Sequence, residues 1–251
     1  MQVNFIINPN PLTTRDRIIQ KSAELFLLKG YGGTSVDDIL SAASIAKGTF
    51  YHHFISKEAL LETVTENFAI AGFDELMIRL GDAKTDNPLA TLNFLFRANM
   101  EWKSENVESI ILAMEAMNDP ANIVLRHSFI SKRKKMLKPV IIKILKDGKQ
   151  LGLFDFKDAG FTAEIMLNFI SQLFDYLVED IFFDRVDLAD LARQNLQFAI
   201  ERILGLPESS IRLVDWASYK SMKDKIKIFR ANRNLSESIT MQSLKIDHVV
   251  V

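Results

Sequence analysis

Along most of this 251-residue chain the apolar side chains recur at intervals of three and four rather than two. That spacing lays a stripe along one face of a helix, whereas a half-buried strand needs strict alternation. With only 10 glycines and 6 prolines to interrupt it, the pattern predicts long helices and an all-α fold class. Hydrophobic residues make up 48% of the chain, enough to bury a sizeable core, and the length suits a small domain followed by a larger one. Cysteine is absent, which excludes a disulfide framework, a thiolate nucleophile and any Cys-ligated metal. No apolar run approaches the length that spans a bilayer and no basic segment precedes an apolar one at Met1–Asn10, so the expectation is a cytoplasmic protein with no membrane partner. A net charge of −1 argues against coating nucleic acid by bulk charge and is silent about a local patch.

Ile19, Ala23, Phe26 and Leu27 mark a first helix over about Thr14–Lys29, ended by Gly30 and the Gly32–Gly33 pair. Thr34, with Asp37 three residues on, predicts a capped short helix whose Val36, Ile39, Leu40 and Ala43 turn inward. After a break of two residues a second short helix runs from Ala46 to His53, and Ser56 caps a longer one toward Leu80. Further helices are predicted over about Leu89–Ser104, Val107–Met117, Ala121–Gly148 with a kink at Pro139, Phe161–Asp180 and Leu188–Leu204. Leu151–Lys157 reads as a connector, and beyond Glu208 the text becomes basic over Lys220–Arg233.

Two short helices joined by a tight turn and braced by a longer one make the helix-turn-helix arrangement, whose second helix enters the major groove of DNA. Phe50 has Ala46 and Phe54 at i−4 and i+4, so that face packs inward, and Gly48 and His52, flanked by Lys47, Thr49 and Tyr51, lie opposite. Between Ser41 and Lys57 there is no Asp or Glu, while Lys47, His52, His53 and Lys57 offer positive or proton-donating groups. Such a window suits a surface that faces phosphate. No metal site is expected at the His52–His53 pair, because adjacent residues diverge by about 100° on a helix and no ligand recurs at i+4.

The run Gly30-Tyr31, Thr34-Ser35-Val36-Asp37-Asp38-Ile39, Ala43-Ser44-Ile45-Ala46-Lys47-Gly48-Thr49-Phe50-Tyr51-His52-His53-Phe54 and Ser56-Lys57-Glu58-Ala59-Leu60 resembles the DNA-binding domain of tetracycline-repressor-like (TetR family) regulators. The resemblance implies an N-terminal three-helix helix-turn-helix domain over 13–58 behind an arm at 1–12. A larger helical ligand-binding and dimerisation domain over 59–205 and a C-terminal extension at 206–251 would follow. It also implies Thr34 as a phosphate-binding cap, Lys47, Gly48 and Thr49 at base edges or adjacent phosphates, and Tyr51, His52 and His53 along the backbone. Lys57 would hold a phosphate with the helix N-terminus that follows Ser56. The partners implied are a palindromic double-stranded DNA operator, a second copy of the chain and a small effector, with no cofactor and no metal. Two residues depart from the pattern: Ser44 stands where glycine is common, which costs about 1 kcal/mol if left-handed, and Ala46 where a capping serine is frequent.

The helix over Phe161–Asp180 is apolar along two lines, Phe161, Ile165, Phe169 and Leu173 on one and Leu167, Ile170, Phe174 and Leu177 on the other. A helix with two apolar faces needs two partners, and a second subunit is an economical one. The expected dimer interface therefore combines Leu167, Ile170, Phe174 and Leu177 with Leu188, Leu191, Ala199 and Ile203 of the next helix, which the resemblance implies as a four-helix bundle. Phe94, Met100, Trp102, Met114, Met117, Phe129, Met136, Met166 and Phe169 are adaptable apolar side chains, most of them core, among which the resemblance implies a small, hydrophobic effector binds. For a lipid-like effector the pocket should be long and nearly uncharged. Lys132–Lys135 reads as a solvated helix face, and Leu213, Trp216 and Tyr219 predict that the extension packs on the larger domain.

The function expected is a sequence-specific DNA-binding regulator, a repressor released by its effector. An enzyme is the rival class, but no thiolate, Gly-rich phosphate loop or metal-spaced pair is present and His127 is the only histidine of the larger domain. A helical interaction protein with a vestigial reading head is the second rival, and Lys47, Thr49, Tyr51 and Lys57 speak against it.

Overall fold

Side chains that satisfy free backbone N–H groups set where five of the described helices begin. Thr13 and Asp16 form a reciprocal capping box at the start of α1 (Thr14–Lys29), and Ser35 and Asp38 form another ahead of α2 (Val36–Ala43). Ser56 caps α4 (Lys57–Asp82), Asn87 caps α5 (Pro88–Glu105) with proline at its first position, and Asp158 caps α8 (Ala159–Phe183). Between these lie α3 (Lys47–His53), α6 (Val107–Asn118), a single 3-10 turn at Pro120–Asn122, and α7 (Ile123–Gln150); α9 (Val186–Ile203) and α10 (Trp216–Ile246) are the last described elements. This computed structural model describes residues 13–83 and 85–246, with the backbone alone for Glu108, Ser109, Leu112, Ala116 and 233–246. The expected arm at 1–12 lies outside the described residues. No strand occurs among the described residues, and no helix there is long and apolar enough to cross a membrane.

Two hydrophobic cores divide the chain. The head core joins Ile18, Ala23 and Phe26 of α1, Ile39 and Ala43 of α2 and Phe50 of α3 to Leu60, Leu61, Val64 and Phe68 of α4. The body core gathers apolar side chains from α4 through α10. A boundary at residue 58 therefore falls at the top of a helix that serves both cores. Pro139 lies within α7, which is helical on both sides of it. Residues 206–226 are part of the body rather than an appendage: Leu206, Ile211, Leu213, Tyr219, Met222 and Ile226 are buried in its core.

That last packing is fixed by a buried polar network. Asp180 of α8 is fully buried and accepts from the Lys223 ammonium at 2.7 Å and the Tyr219 hydroxyl at 2.7 Å, both on α10. Lys223 also reaches Asp184 at 2.7 Å, and the Tyr219 hydroxyl lies 3.1 Å from the Leu177 carbonyl. Burial first, and then Asp180, push the Tyr219 phenol above the usual tyrosine range.

The turn ahead of α7 clamps the head to the body. The Tyr31 N–H donates to Asn122 Oδ1 at 3.0 Å, and Leu125 of α7 is buried in the head core. Gly30 has φ +78°, and a Cβ there would stand 2.7 Å from the Ala121 Cβ, so both conformation and space demand glycine.

Candidate functional site

The turn between α2 and α3 is a Schellman motif built on serine. Ser44 is left-handed at φ 52°, ψ 54°, its N–H reaches the Ser41 carbonyl at 3.2 Å, and the Ile45 N–H reaches Leu40 at 3.1 Å. Ala46 precedes α3 with no side-chain cap, as its methyl group dictates. Phe50 is fully buried and sets the rotation of α3. With that side chain pinned, Lys47, Gly48, Tyr51 and His52 are exposed and Thr49 and His53 half-buried on the remaining faces. The Tyr51 ring packs edge-on against Phe50 at 5.2 Å, which steadies a side chain that is otherwise 47% exposed. His52 and His53 meet edge-on at 5.0 Å. The structure thus brings six of the eight expected head residues together on one short helix, with no carboxylate between Ser41 and Lys57.

Thr34 and Lys57 are placed differently. Thr34 is 1% exposed, and its hydroxyl donates to the Gly30 carbonyl at 2.8 Å, so it is not the cap of α2 and has no surface to offer a phosphate. The cap is Ser35, whose hydroxyl accepts from the Asp38 N–H at 3.1 Å. The sequence allows both readings because Thr34-x-x-Asp37 and Ser35-x-x-Asp38 are capping patterns one residue apart. Bonds from Ser35, then Lys29, hold the Asp38 carboxyl well below the usual range, so the cap is kept above that range and loosens only in strong acid. The Lys57 ammonium donates to the Tyr31 and Thr34 carbonyls at 3.0 and 2.9 Å and sits 4.2 Å over the Tyr31 ring. It braces α4 against the turn after α1. Tyr31 in turn donates to Glu58 at 3.0 Å, and its phenol is pushed up to about 12 by burial and then by Glu58.

In the body a cavity of about 190 Å³ opens between α4, α5, α6, α7 and α8. Of the nine side chains expected around an effector, Met100, Trp102, Met114, Met117 and Phe129 line it. Phe94, Met136, Met166 and Phe169 do not. Met166 is buried in the body core, Phe94 and Phe169 pack against that core, and Met136 faces a separate narrow cleft beside Phe73 and Leu76. The reason is rotational: helical spacing says which residues share a face, but not which face meets a void. Phe68, Ala69, Gly72 and Phe96 line the cavity without having been singled out, because nothing in the spacing separates them from ordinary core.

Three lining side chains belong also to the head. Phe68 is buried in the head core, and Met117 and Phe129 pack against it. A molecule in the cavity would therefore touch groups on which the seating of the head depends.

Leu167, Ile170, Phe174 and Leu177 were expected at a dimer interface and instead line the cavity. Leu167 and Leu177 are 2% and 4% exposed and present nothing to a partner. The second apolar line of α8 is satisfied within the subunit. Solvent instead meets Phe161 and Phe183 of α8 and Val186, Leu188, Leu191 and Phe198 of α9, with Ala199 and Ile203 half-buried beside them. Leu188, Leu191 and Phe198 stand at i, i+3 and i+10, a single stripe. Phe198 was not singled out, although its place in that stripe was there to be read.

Comparison with known proteins agrees with this geometry. Residues 18–64 match the family model described as bacterial regulatory proteins, tetR family. The chain is 30% identical over 142 residues to the HTH-type transcriptional repressor KstR2 of Mycobacterium tuberculosis (strain ATCC 25618 / H37Rv), covering 56% of this chain and 68% of that one. Over 54 residues it is 44% identical to the HTH-type transcriptional repressor DhaR of Mycobacterium sp. (strain GP1), 22% of this chain and 27% of the relative. Among solved structures, a TetR-family regulator from Syntrophomonas wolfei superposes with a TM-score of 0.54 at 20% identity, over 78% of this chain and 97% of that one. One from Shewanella sp. PV-4 does so with 0.53 at 19%, over 75% and 98%.

Proposed function

The chain belongs to the tetR family of bacterial regulatory proteins and is a DNA-binding transcription regulator, and from that premise we propose that it is a repressor whose α3 reads an operator and whose body cavity takes a small apolar effector that releases it. The observation that carries this reading is the sharing of Phe68, Met117 and Phe129 between the head core and the cavity wall. A ligand pressed against these side chains favours one seating of the head over another, which is the differential contact a population shift requires. The clamp at Gly30, Tyr31 and Asn122 gives the shift a rigid transmission point, since the turn of α7 is hydrogen-bonded to the end of α1.

On the reading side, Lys47 and Thr49 reach base edges or phosphates, Gly48 lets backbone approach closely, and Tyr51, His52 and His53 lie along the phosphate backbone, a reading supported by their grouping on α3 around the buried Phe50. Two heads are needed for an affinity worth regulating. The exposed stripe of Leu188, Leu191 and Phe198 with Ala199 and Ile203 is the face proposed for a homodimer, and the operator read by two symmetric heads is palindromic, with half-sites about 34 Å apart or a modest departure from it.

Selection of bound sequences from random duplex DNA by the full chain tests this. The expected result is enrichment of an inverted repeat with one dominant half-site spacing. Binding that enriches no sequence at low or moderate salt would reduce the head to nonspecific phosphate contact and overturn the operator reading.

A further inference from the structure

The cavity is apolar in its walls but not neutral in charge. Four basic side chains line it, Lys103, Arg126, Arg133 and Lys134, and among the described residues no aspartate or glutamate does. Arg126 is paired with Asp175 at 2.5 Å, and Lys134 donates to Asn168 at 2.8 Å in an exposed bond that leaves its charge to water. The other two are not neutralised. Arg133 touches only the neutral Asn99 amide oxygen, at 3.3 Å, with its guanidinium 5.7 Å from the Phe129 ring centre. Lys103 is 5% exposed, makes no hydrogen bond or ion pair among the described residues, and has its nitrogen 4.1 Å from the centre of the Phe174 ring.

An ammonium held away from water without a counter-charge is unfavourable, and a guanidinium cannot shed its proton to escape that penalty. Burial first, and then repulsion by Arg133, push Lys103 well below the usual lysine range. An uncharged lipid-like molecule would leave Lys103 and the Arg133 guanidinium in an apolar wall without a counter-charge. This is not the nearly uncharged pocket expected for a lipid-like effector, and the reading of Lys132–Lys135 as a solvated face is corrected at Arg133 and Lys134, which line the cavity.

We propose that the ligand of this cavity is an apolar molecule carrying one carboxylate, the anion seated at Lys103 and Arg133 and the tail against Phe68, Met114 and Phe129. A carboxylate accepts from an ammonium and a guanidinium at once and supplies the charge that the wall lacks. With Arg126 held by Asp175 and Lys134 by Asn168, Lys103 and Arg133 remain for the anion, and two cations suit one carboxylate, whereas the oxygens of a phosphate ask for more partners. The inference rests on the reading of the cavity as an effector site and adds the ligand's charge and headgroup.

Calorimetric titration of the full chain without DNA, using decanoate, cyclohexaneacetate and their two amides, tests it. The acids are expected to bind about tenfold or more tightly than the matching amides. Lys103→Met should remove most of that difference while leaving amide affinity and the melting temperature undiminished, since methionine fills the same volume with no charge to bury. Arg133→Gln provides an independent second variant. Acids and amides that bind alike, or a difference that survives both substitutions, would overturn the carboxylate while leaving the cavity an effector site. If none of the four binds, the carboxylate proposal and the effector-site reading both fall.

Discussion

A chain carrying Thr49→Ala and Tyr51→Ala should bind its operator about a thousandfold more weakly than the parent while melting at nearly the same temperature. The magnitude follows from about 1–3 kcal/mol for each good base or phosphate contact, counted on both heads of a dimer. The fold is spared because Tyr51 is 47% exposed and Thr49 half-exposed, and neither side chain contributes to the head core. The salt dependence of binding should flatten together with the affinity if Tyr51 lies against phosphate. Fluorescence anisotropy on labelled operator at several salt concentrations reads both. Undiminished affinity in the double variant would place the reading face elsewhere. Phe50→Ala is the instructive contrast, for Phe50 is fully buried and its loss removes about 3–5 kcal/mol of core packing, so binding and folding fail together. Lys57→Ala falls between these cases. Its ammonium holds the Tyr31 and Thr34 carbonyls, and its removal loosens the joint of α1 and α4 whatever it does to DNA.

The second large effect belongs to the body. Asp180→Ala should lower stability by about 3–5 kcal/mol, the usual result of stripping one partner from a buried charged network, and urea denaturation followed by far-UV circular dichroism reads it. Lys223 and the Tyr219 hydroxyl would lose their shared acceptor between α8 and α10. Asp184, 69% exposed and reaching the same lysine, should matter far less when changed to alanine. A triple change of Asp180→Leu, Tyr219→Phe and Lys223→Met should recover most of the loss, because it removes the polar groups instead of orphaning them. Equal effects from Asp180 and Asp184 would contradict this account of how the C-terminal segment is held. The raised Tyr219 phenol gives a sign for pH as well: its contribution is intact below the usual tyrosine range and is lost only as pH climbs above that range.

Much of the head could be read from residues alone. Gly30, the capping pattern near Thr34, the left-handed Ser44 and the burial of Phe50 opposite Gly48 are local features, set by spacing and backbone sterics. The miss at Thr34 is local too, a choice between two overlapping caps that only the burial of one hydroxyl decides. The body was less legible for a different reason. Its α8 is apolar on two sides, and nothing along the chain says that the side bearing Leu167 and Leu177 faces a cavity while Leu191 and Phe198 of α9 face solvent. The four basic residues Lys132–Lys135 look alike in the sequence, yet helical rotation sends Arg133 and Lys134 to the cavity and leaves Lys135 exposed. The docking of Leu125 and Asn122 into the head is a contact across about ninety residues, which spacing cannot encode.

The central claim is that occupancy of the cavity and operator binding by α3 are one coupled equilibrium. Coupling of this kind is reciprocal, so a ligand that weakens the operator by some factor must itself be weakened by operator DNA to the same extent. The most direct measurement is a footprint on the DNA upstream of the chain's own gene, titrated with the tightest of the calorimetric probes. The account predicts two protected half-sites on one face of the duplex, with protection that fades as the probe saturates the cavity. Protection that persists unchanged at saturating probe would contradict it.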